Sequence, residues 1–290
     1  MEKIGYIGLG IMGKPMVENL VKAGHKVNVF ARRKESVDAL ESDHIVSFNT
    51  PQSLAEHSTV IISCVSDTPD VESVLVGNSG VLQGIQANSL VIDMSTISAT
   101  STRSMAKQFQ LAGAAMIDAP VSGGEVGAIA GTLSIMVGGE EKDFDRALPI
   151  FKCLGKNIVH VGSSGAGQVT KACNNLVAAQ TVVAVAEAFS LAKSLDVDPA
   201  KVREALLGGF ANSKVLELHG QRILDENYQP GFKAKLHAKD IRIALNSAQE
   251  NNIAMPGTEL SDKYLQMLLE QGNGDLDSSA IAKVILESNQ

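Results

Sequence analysis

Along residues 1–162 two spacings of apolar positions alternate. Short runs at Ile4–Gly8, Lys26–Ala31, Val60–Val65, Leu90–Met94, Ala115–Asp118, Leu133–Val137 and Ile158–Val161 are rich in β-branched residues and predict strands. Between most of them lie segments of helical length with apolar residues three and four apart, such as Met12–Ala23 and Thr100–Leu111. Val60-Ile61-Ile62 and Leu90-Val91-Ile92 show no polar alternation, the pattern of strands covered on both faces. Strands alternating with helices predict βαβ units around a parallel sheet.

After about Gly162 the pattern changes. Gly165-Ala166-Gly167 is a breaker, and Gln168–Leu195 reads as one helix dominated by Ala, Val and Leu. At about 1.5 Å per residue it would span roughly 40 Å, the length of a domain rather than a connector. Helical spacing continues at Pro199–Leu207, Val215–Asp225, Lys239–Asn251, Thr258–Gln271 and Ser278–Leu286, with almost no strand signal. The expectation is an α/β domain over 1–163 and an all-α domain over 164–290, joined by the long helix.

The first strand runs into Gly8-Leu9-Gly10-Ile11-Met12-Gly13, and a helix follows. Gly8 permits a tight turn, Gly10 lets the backbone approach a pyrophosphate, and Gly13 lets helix pack on strand. The helix N-terminus adds N–H donors and a partial positive charge. Glycines at this spacing are a weak signal alone; a strand before, a helix after and first place in a βαβ unit make them specific for a dinucleotide. A unit that prefers NAD usually ends its second strand on Asp or Glu, which accepts from the ribose 2′-OH. Here the chain has Ala31-Arg32-Arg33-Lys34. Without a carboxylate, and with guanidinium donors in its place, the loop favours NADP(H) over NAD(H).

Three further segments carry candidate chemistry. Asp118-Ala-Pro-Val-Ser122-Gly123-Gly124 follows a strand, and its glycines free backbone N–H groups to hold a small carboxylate beside the Ser122 hydroxyl. Lys171 and Asn175 stand four apart near the start of the long helix and share one face. Leu236-His237-Ala-Lys239-Asp240 opens a later helix. Taken alone, Lys171 reads first as a surface lysine. Beside a dinucleotide loop and a glycine nest it reads as the group that exchanges a proton with a carbonyl oxygen, its pKa lowered by desolvation and by Lys239. Asp240 would pair with Lys171 or Lys239, or only begin a helix.

Taken together, Gly8-Leu-Gly-Ile-Met-Gly-Lys-Pro-Met16, Asp118-Ala-Pro-Val-Ser-Gly-Gly124, Gly167-x-x-x-Lys171-x-x-Asn-Asn175 and Lys239-Asp240 resemble the β-hydroxyacid dehydrogenases, in order and over essentially the whole chain. The resemblance implies a Rossmann-type N-terminal domain, a helical C-terminal domain and an active site in the cleft between them. It implies Lys171 as general acid/base, Ser122, Gly123 and Gly124 as carboxylate ligands, and Asn175 as the residue that orients substrate. It places Leu9, Ile11, Met12, Ala31, Val65, Thr96 and Lys239 at the cofactor with the three glycines. Homodimers or homotetramers are also implied. Gly208-Gly209-Phe-Ala-Asn-Ser213 and Pro230-Gly-Phe232 look most like the family's tartronate semialdehyde reductases, with 3-hydroxyisobutyrate oxidation as the second reading. Ala31 departs from the many members with Asp there.

Composition narrows the field. With 44% apolar and 20% charged residues, the chain can bury large cores, which excludes disorder. A net charge of −7 without a basic patch speaks against nucleic acid and anionic lipid, and no unbroken apolar run of membrane-spanning length occurs. Cys64, Cys153 and Cys173 lack paired spacing, and each reads as a small buried side chain in a reducing, cytoplasmic setting. The six histidines are scattered, so no metal is expected. An imine reductase would carry Asp or Tyr at position 171, and a decarboxylating sugar-phosphate dehydrogenase would be much longer. A non-catalytic module of the same fold would not need Lys171, Asn175, Ser122 and Lys239 together.

Overall fold

A computed structural model describes residues 2–38, 40 and 43–287. The chain divides into two compact units, Met1–Lys171 and Ala172–Gln290.

In the first unit the elements run β1 (Ile4–Ile7), α1 (Gly13–Lys22), β2 (Val27–Phe30), α2 (Lys34–Asp38), β3 (Ile45–Ser47), α3 (Pro51–Glu56), β4 (Val60–Ser63), α4 (Thr68–Val76), α5 (Val81–Gly84), β5 (Leu90–Asp93) and α6 (Ala99–Leu111). There follow β6 (Ala115–Asp118), β7 (Val121–Ser122), α7 (Gly124–Ala130), β8 (Leu133–Gly138), α8 (Glu141–Leu154) and β9 (Gly155–Gly162). They form one sheet in the order β3-β2-β1-β4-β5-β6-β8-β7, with β9 paired to β8. The strands β1, β4 and β5 are buried at every residue, as their unbroken apolar runs require. Met16, Leu20, Ala147, Ile150 and Phe151 of α1 and α8 cover one face, and Leu54, Val71, Leu75, Met105 and Phe109 cover the other. Helix starts are set by Thr50, Asp67 and Ser98, whose side chains accept from the first-turn amides, each worth about 1 kcal/mol.

The sheet is not wholly parallel: β8 runs antiparallel to β6 and β7. It also contains β3 and β7, which have no apolar run to announce them. Two of the three β3 residues are exposed, and β7 is two residues long. Both are held by neighbours rather than by their own pattern.

The long helix α9 (Ala166–Ser194) begins in the first unit and continues into the second, which adds α10 (Pro199–Leu207), α11 (Lys214–Leu224), α12 (Ala234–Glu250), α13 (Pro256–Glu270), a short 3-10 turn (Ser278–Ala280) and α14 (Ile281–Glu287). By length and composition α9 could cross a membrane, a property that counting unbroken apolar runs misses. Its Ala179, Val182, Val183, Ala186 and Phe189 instead form a core with Leu216, Ile223, Ile241, Leu265, Leu268 and Ile281. A buried carboxylate braces this unit. Asp277 accepts from the amides of Gly231 (2.9 Å), Phe232 (3.0 Å) and Ser279 (3.1 Å) and from the Ser279 hydroxyl (2.7 Å). α12 begins at Ala234, five residues before the start that spacing predicts, so His237, Lys239 and Asp240 lie inside a helix.

Candidate active site

The loop Gly8–Met12 leaves the carboxyl end of β1, which lies between β2 and β4. That is the point where strand order reverses, and ligands of such sheets sit there. Gly8 has φ +101°, and its amide donates to the Phe30 carbonyl at 3.1 Å. A Cβ at Gly8 would collide with the Cys64 carbonyl, and one at Gly13 with the Gly8 carbonyl. Above Gly10 a Cβ would meet nothing within 4 Å. No side chain caps α1. The loop therefore presents open space and uncapped N–H groups together, which fits the pyrophosphate of a dinucleotide. Leu9 is buried in the core and Ile11 is exposed, so the loop offers a ligand its backbone more than its side chains.

At the end of β2, Ala31 is half-buried and both Arg32 and Arg33 are exposed. Arg32 Nη1 lies 3.0 Å from Oδ1 of Asp70 in α4, a partner that sequence spacing does not reveal.

The carboxyl ends of β4 and β5 are joined by a buried polar network. Asp93 Oδ1 accepts from the Ser63 hydroxyl (2.9 Å) and from the Ser95 amide (3.2 Å). Ser95 Oγ accepts from the Val65 amide at 2.9 Å. Val65 is thereby tied to the segment that carries Thr96. Cys64, beside this network, has its thiol pushed up to about 12 by burial and by Asp93, which suits packing and not nucleophilic attack. Against the expectation of three buried cysteines, Cys64 and Cys153 are half-buried as residues and Cys173 is exposed.

Beyond β6, Ser122 ends β7, and Gly123 and Gly124 follow with φ +131° and +62°. α7 starts at Gly124 with no side-chain cap. Two successive glycines with positive φ therefore stand at a helix start that no side chain caps. Asp118, at the end of β6, is buried. Its carboxyl is pushed up to about 6 by desolvation, against which the amides of Gly165 and Gln168 pull down.

Lys171 is 8% exposed, and Asn175, one turn on, is 4% exposed. A lysine so buried is costly unless its charge is used. In the second unit, Asn175 Nδ2 donates to Asp240 Oδ2 at 2.6 Å, and Lys239 Nζ lies 3.0 Å from Asp240 Oδ1. Asp240 thus takes Lys239 and Asn175 as partners. It does not begin a helix, being in the second turn of α12. His237 Nε2 donates to the Asn175 carbonyl at 3.0 Å, with its ring tilted against Phe232. Asp118 and Asp240 stand in segments that the sequence singled out, and of the partners expected for Asp240 the structure shows Lys239; Gln168 is the residue that sequence reasoning missed.

Known proteins are similar to this chain over nearly its whole length. Residues 3–162 match the family model of the NAD binding domain of 6-phosphogluconate dehydrogenase. Residues 165–285 match that described as NAD-binding of NADP-dependent 3-hydroxyisobutyrate dehydrogenase. The 2-hydroxy-3-oxopropionate reductase of Escherichia coli (strain K12) is 43% identical over 283 residues, 98% of this chain and 97% of the relative. The chain belongs to the β-hydroxyacid dehydrogenase family. It is an NAD(P)-dependent oxidoreductase with a Rossmann-type first domain and a helical second one. A second relative of this dehydrogenase, the 3-hydroxyisobutyrate dehydrogenase of Pseudomonas aeruginosa, is 36% identical and covered over 98% of each chain. Among solved structures, Mycobacterium tuberculosis 3-hydroxyisobutyrate dehydrogenase with L-serine superposes on the dehydrogenase with a TM-score of 0.90 at 31% identity. That match covers 98% of this chain and 99% of the other.

Proposed function

We propose that this dehydrogenase reduces tartronate semialdehyde (2-hydroxy-3-oxopropionate) to glycerate, with NADPH preferred to NADH. The observation that carries the reading is Lys171, an ammonium held almost out of solvent on a helix one turn before Asn175. A nicotinamide dinucleotide, when bound, supplies the hydride. Lys171 gives the proton to the aldehyde oxygen, and Asn175, fixed by Asp240, orients the substrate. Ser122, Gly123 and Gly124 receive the substrate carboxylate. The backbone of Gly8–Gly13, with Ala31, Arg32, Arg33, Val65, Thr96 and Lys239, holds the cofactor. Residues 1–163 then serve as the cofactor domain and 164–290 as the substrate domain.

The choice of substrate is supported by the 43% identity to the 2-hydroxy-3-oxopropionate reductase and by Gly208-Gly209-Phe-Ala-Asn-Ser213. Ala31 in place of a carboxylate supports the choice of cofactor. A second reading, oxidation of 3-hydroxyisobutyrate, is favoured by the likeness to dehydrogenases of that acid. The two substrates differ by a hydroxyl against a methyl. A site built to hydrogen-bond the hydroxyl would reject the methyl analogue strongly. Exposed Val177 and Leu191 on α9, Leu195 just after it and exposed Phe210 support a homodimer or homotetramer, and free thiols support a cytoplasmic setting. Initial rates with tartronate, methylmalonate and succinic semialdehydes, each with NADH and NADPH, test the proposal. The fastest pair should be tartronate semialdehyde with NADPH; faster turnover of either other aldehyde overturns the substrate choice.

A further inference from the structure

Three segments of the candidate site meet at one buried residue, Gln168, through its side chain and its backbone amide. Gln168 is 2% exposed and uses both ends of its carboxamide. Nε2 donates to the Ser95 carbonyl at 2.8 Å, and Oε1 accepts from the Ile97 amide at 3.1 Å. These two groups bracket Thr96. The Gln168 amide in turn donates to Asp118 Oδ2 at 2.9 Å, and the Gly165 amide donates to Asp118 Oδ1 at 2.7 Å. Asp118 ends β6, from which the chain leads to Ser122. The start of α9 has no room to shift: a Cβ at Gly167 would collide with the Met136 carbonyl and press on Asp118.

Gln168 stands three residues before Lys171 on the same helix face. A carboxamide is the uncharged group that can meet a carbonyl and an N–H at once. An apolar side chain of equal size would fill the space and leave both backbone groups unsatisfied. We propose that Gln168 is a positioning residue, which sets Lys171 against the Thr96 turn by tying their two segments together, while Asp118 fixes where the helix begins. The inference rests on the reading of Lys171 as proton donor. A displacement of about 1 Å at a reacting group costs on the order of 100-fold in rate, so loss of the tie should appear in kcat before it appears in cofactor affinity.

The test uses the full chain with Gln168→Met and Gln168→Glu. Kinetics are measured on the semialdehyde that wild type reduces, NADPH affinity by calorimetry, and exchange of the Ile97 amide by hydrogen exchange. Gln168→Met should lower kcat roughly 10- to 100-fold and expose Ile97 to faster exchange, with the NADPH Kd less affected than kcat. In Gln168→Glu a protonated carboxyl can donate to Ser95 and accept from Ile97, whereas an ionised one has no donor. Its kcat relative to wild type should therefore recover as pH falls, and Gln168→Met should not recover. Asp118 is the titratable neighbour bonded to the same residue, and Gln168→Met, which shares it, removes its titration from the comparison. Unchanged kcat in Gln168→Met, equal factors lost in kcat and Kd, or a flat pH response in Gln168→Glu overturns the inference. Lys171→Ala separates the two levels. Loss of activity there with unchanged kcat in Gln168→Met overturns the positioning role alone, and full activity in Lys171→Ala overturns both.

Discussion

One carboxylate serves two candidate site residues at once: Asp240 accepts from Asn175 Nδ2 at 2.6 Å through one oxygen and faces Lys239 Nζ at 3.0 Å through the other. Asp240 is buried and Lys239 mostly so, which makes this pair stronger and less screened than a surface bridge.

Asp240→Ala should therefore cost about 3 kcal/mol of stability, because it removes the carboxylate beside a mostly buried ammonium and the acceptor of Asn175 Nδ2. Urea unfolding measures that loss. In Asp240→Asn, which keeps the volume, the catalytic effect should dominate, with kcat/KM down roughly 10- to 100-fold. Wild-type kinetics in Asp240→Asn would show that Asn175 needs no fixed orientation.

The Arg32–Asp70 pair bears on cofactor choice. Arg32 is largely exposed, so the bridge itself is worth at most about 1 kcal/mol. Its position at the end of β2 matters more. Arg32→Ala should raise KM for NADPH at least about tenfold more than for NADH, since a lost charge-assisted bond to a 2′-phosphate costs about 1.5–3 kcal/mol. Asp70→Asn removes a like charge beside that phosphate and should shift preference further toward NADPH. Equal changes for both cofactors would place the ribose elsewhere.

The buried carboxyl of Asp118 makes stability depend on pH with an uncommon sign. Burial raises it from 3.8 to about 6 in the folded chain. Between roughly pH 4 and 6 the unfolded chain loses this proton while the folded chain keeps it, so stability falls as pH rises through that window. A rise of that size corresponds to about 3 kcal/mol. Unfolding free energies of wild type and Asp118→Asn, measured from pH 4 to 7, should converge or cross with rising pH. Parallel curves would mean that the amides of Gly165 and Gln168 offset the burial completely.

Asp277 behaves in the opposite way. Burial would raise its carboxyl, but His219, Ser279 and the Phe232 amide together outweigh burial and hold it well below the usual carboxylate range. Its stabilisation is present above about pH 4 and is lost as pH falls toward the folded value. Asp277→Asn should cost about 3 kcal/mol at pH 7, and the gap should narrow steadily at pH 3. A gap independent of pH would mean that hydrogen-bond geometry, not charge, braces the second unit.

Most of the fold is legible in the sequence because its signals are strong. Val60–Ile62 and Leu90–Ile92 are apolar without alternation, and α9 has neither proline nor interior glycine after Gly167. What escaped, β3, β7 and the early start of α12, depends on pairing with distant segments, such as the contact of Lys235 N with the Gly274 carbonyl at 3.0 Å. The glycine loop and Lys171 are legible for the same reason as the strands: each departs from what a neutral position would carry. Gln168, Asp70 and Asp240 are ordinary residues in ordinary spacing. Apart from the adjacent Lys239–Asp240 pair, their partners lie 38 to 73 positions away, and only folding brings those together.

The central claim is that Lys171 delivers the proton. Lys171→Ala, assayed on tartronate semialdehyde with NADPH, should lose roughly 100- to 10,000-fold in kcat, the usual worth of a positioned acid. The NADPH Kd should stay close to that of wild type. Activity within a fewfold of wild type would contradict the account and remove the buried lysine from the chemistry.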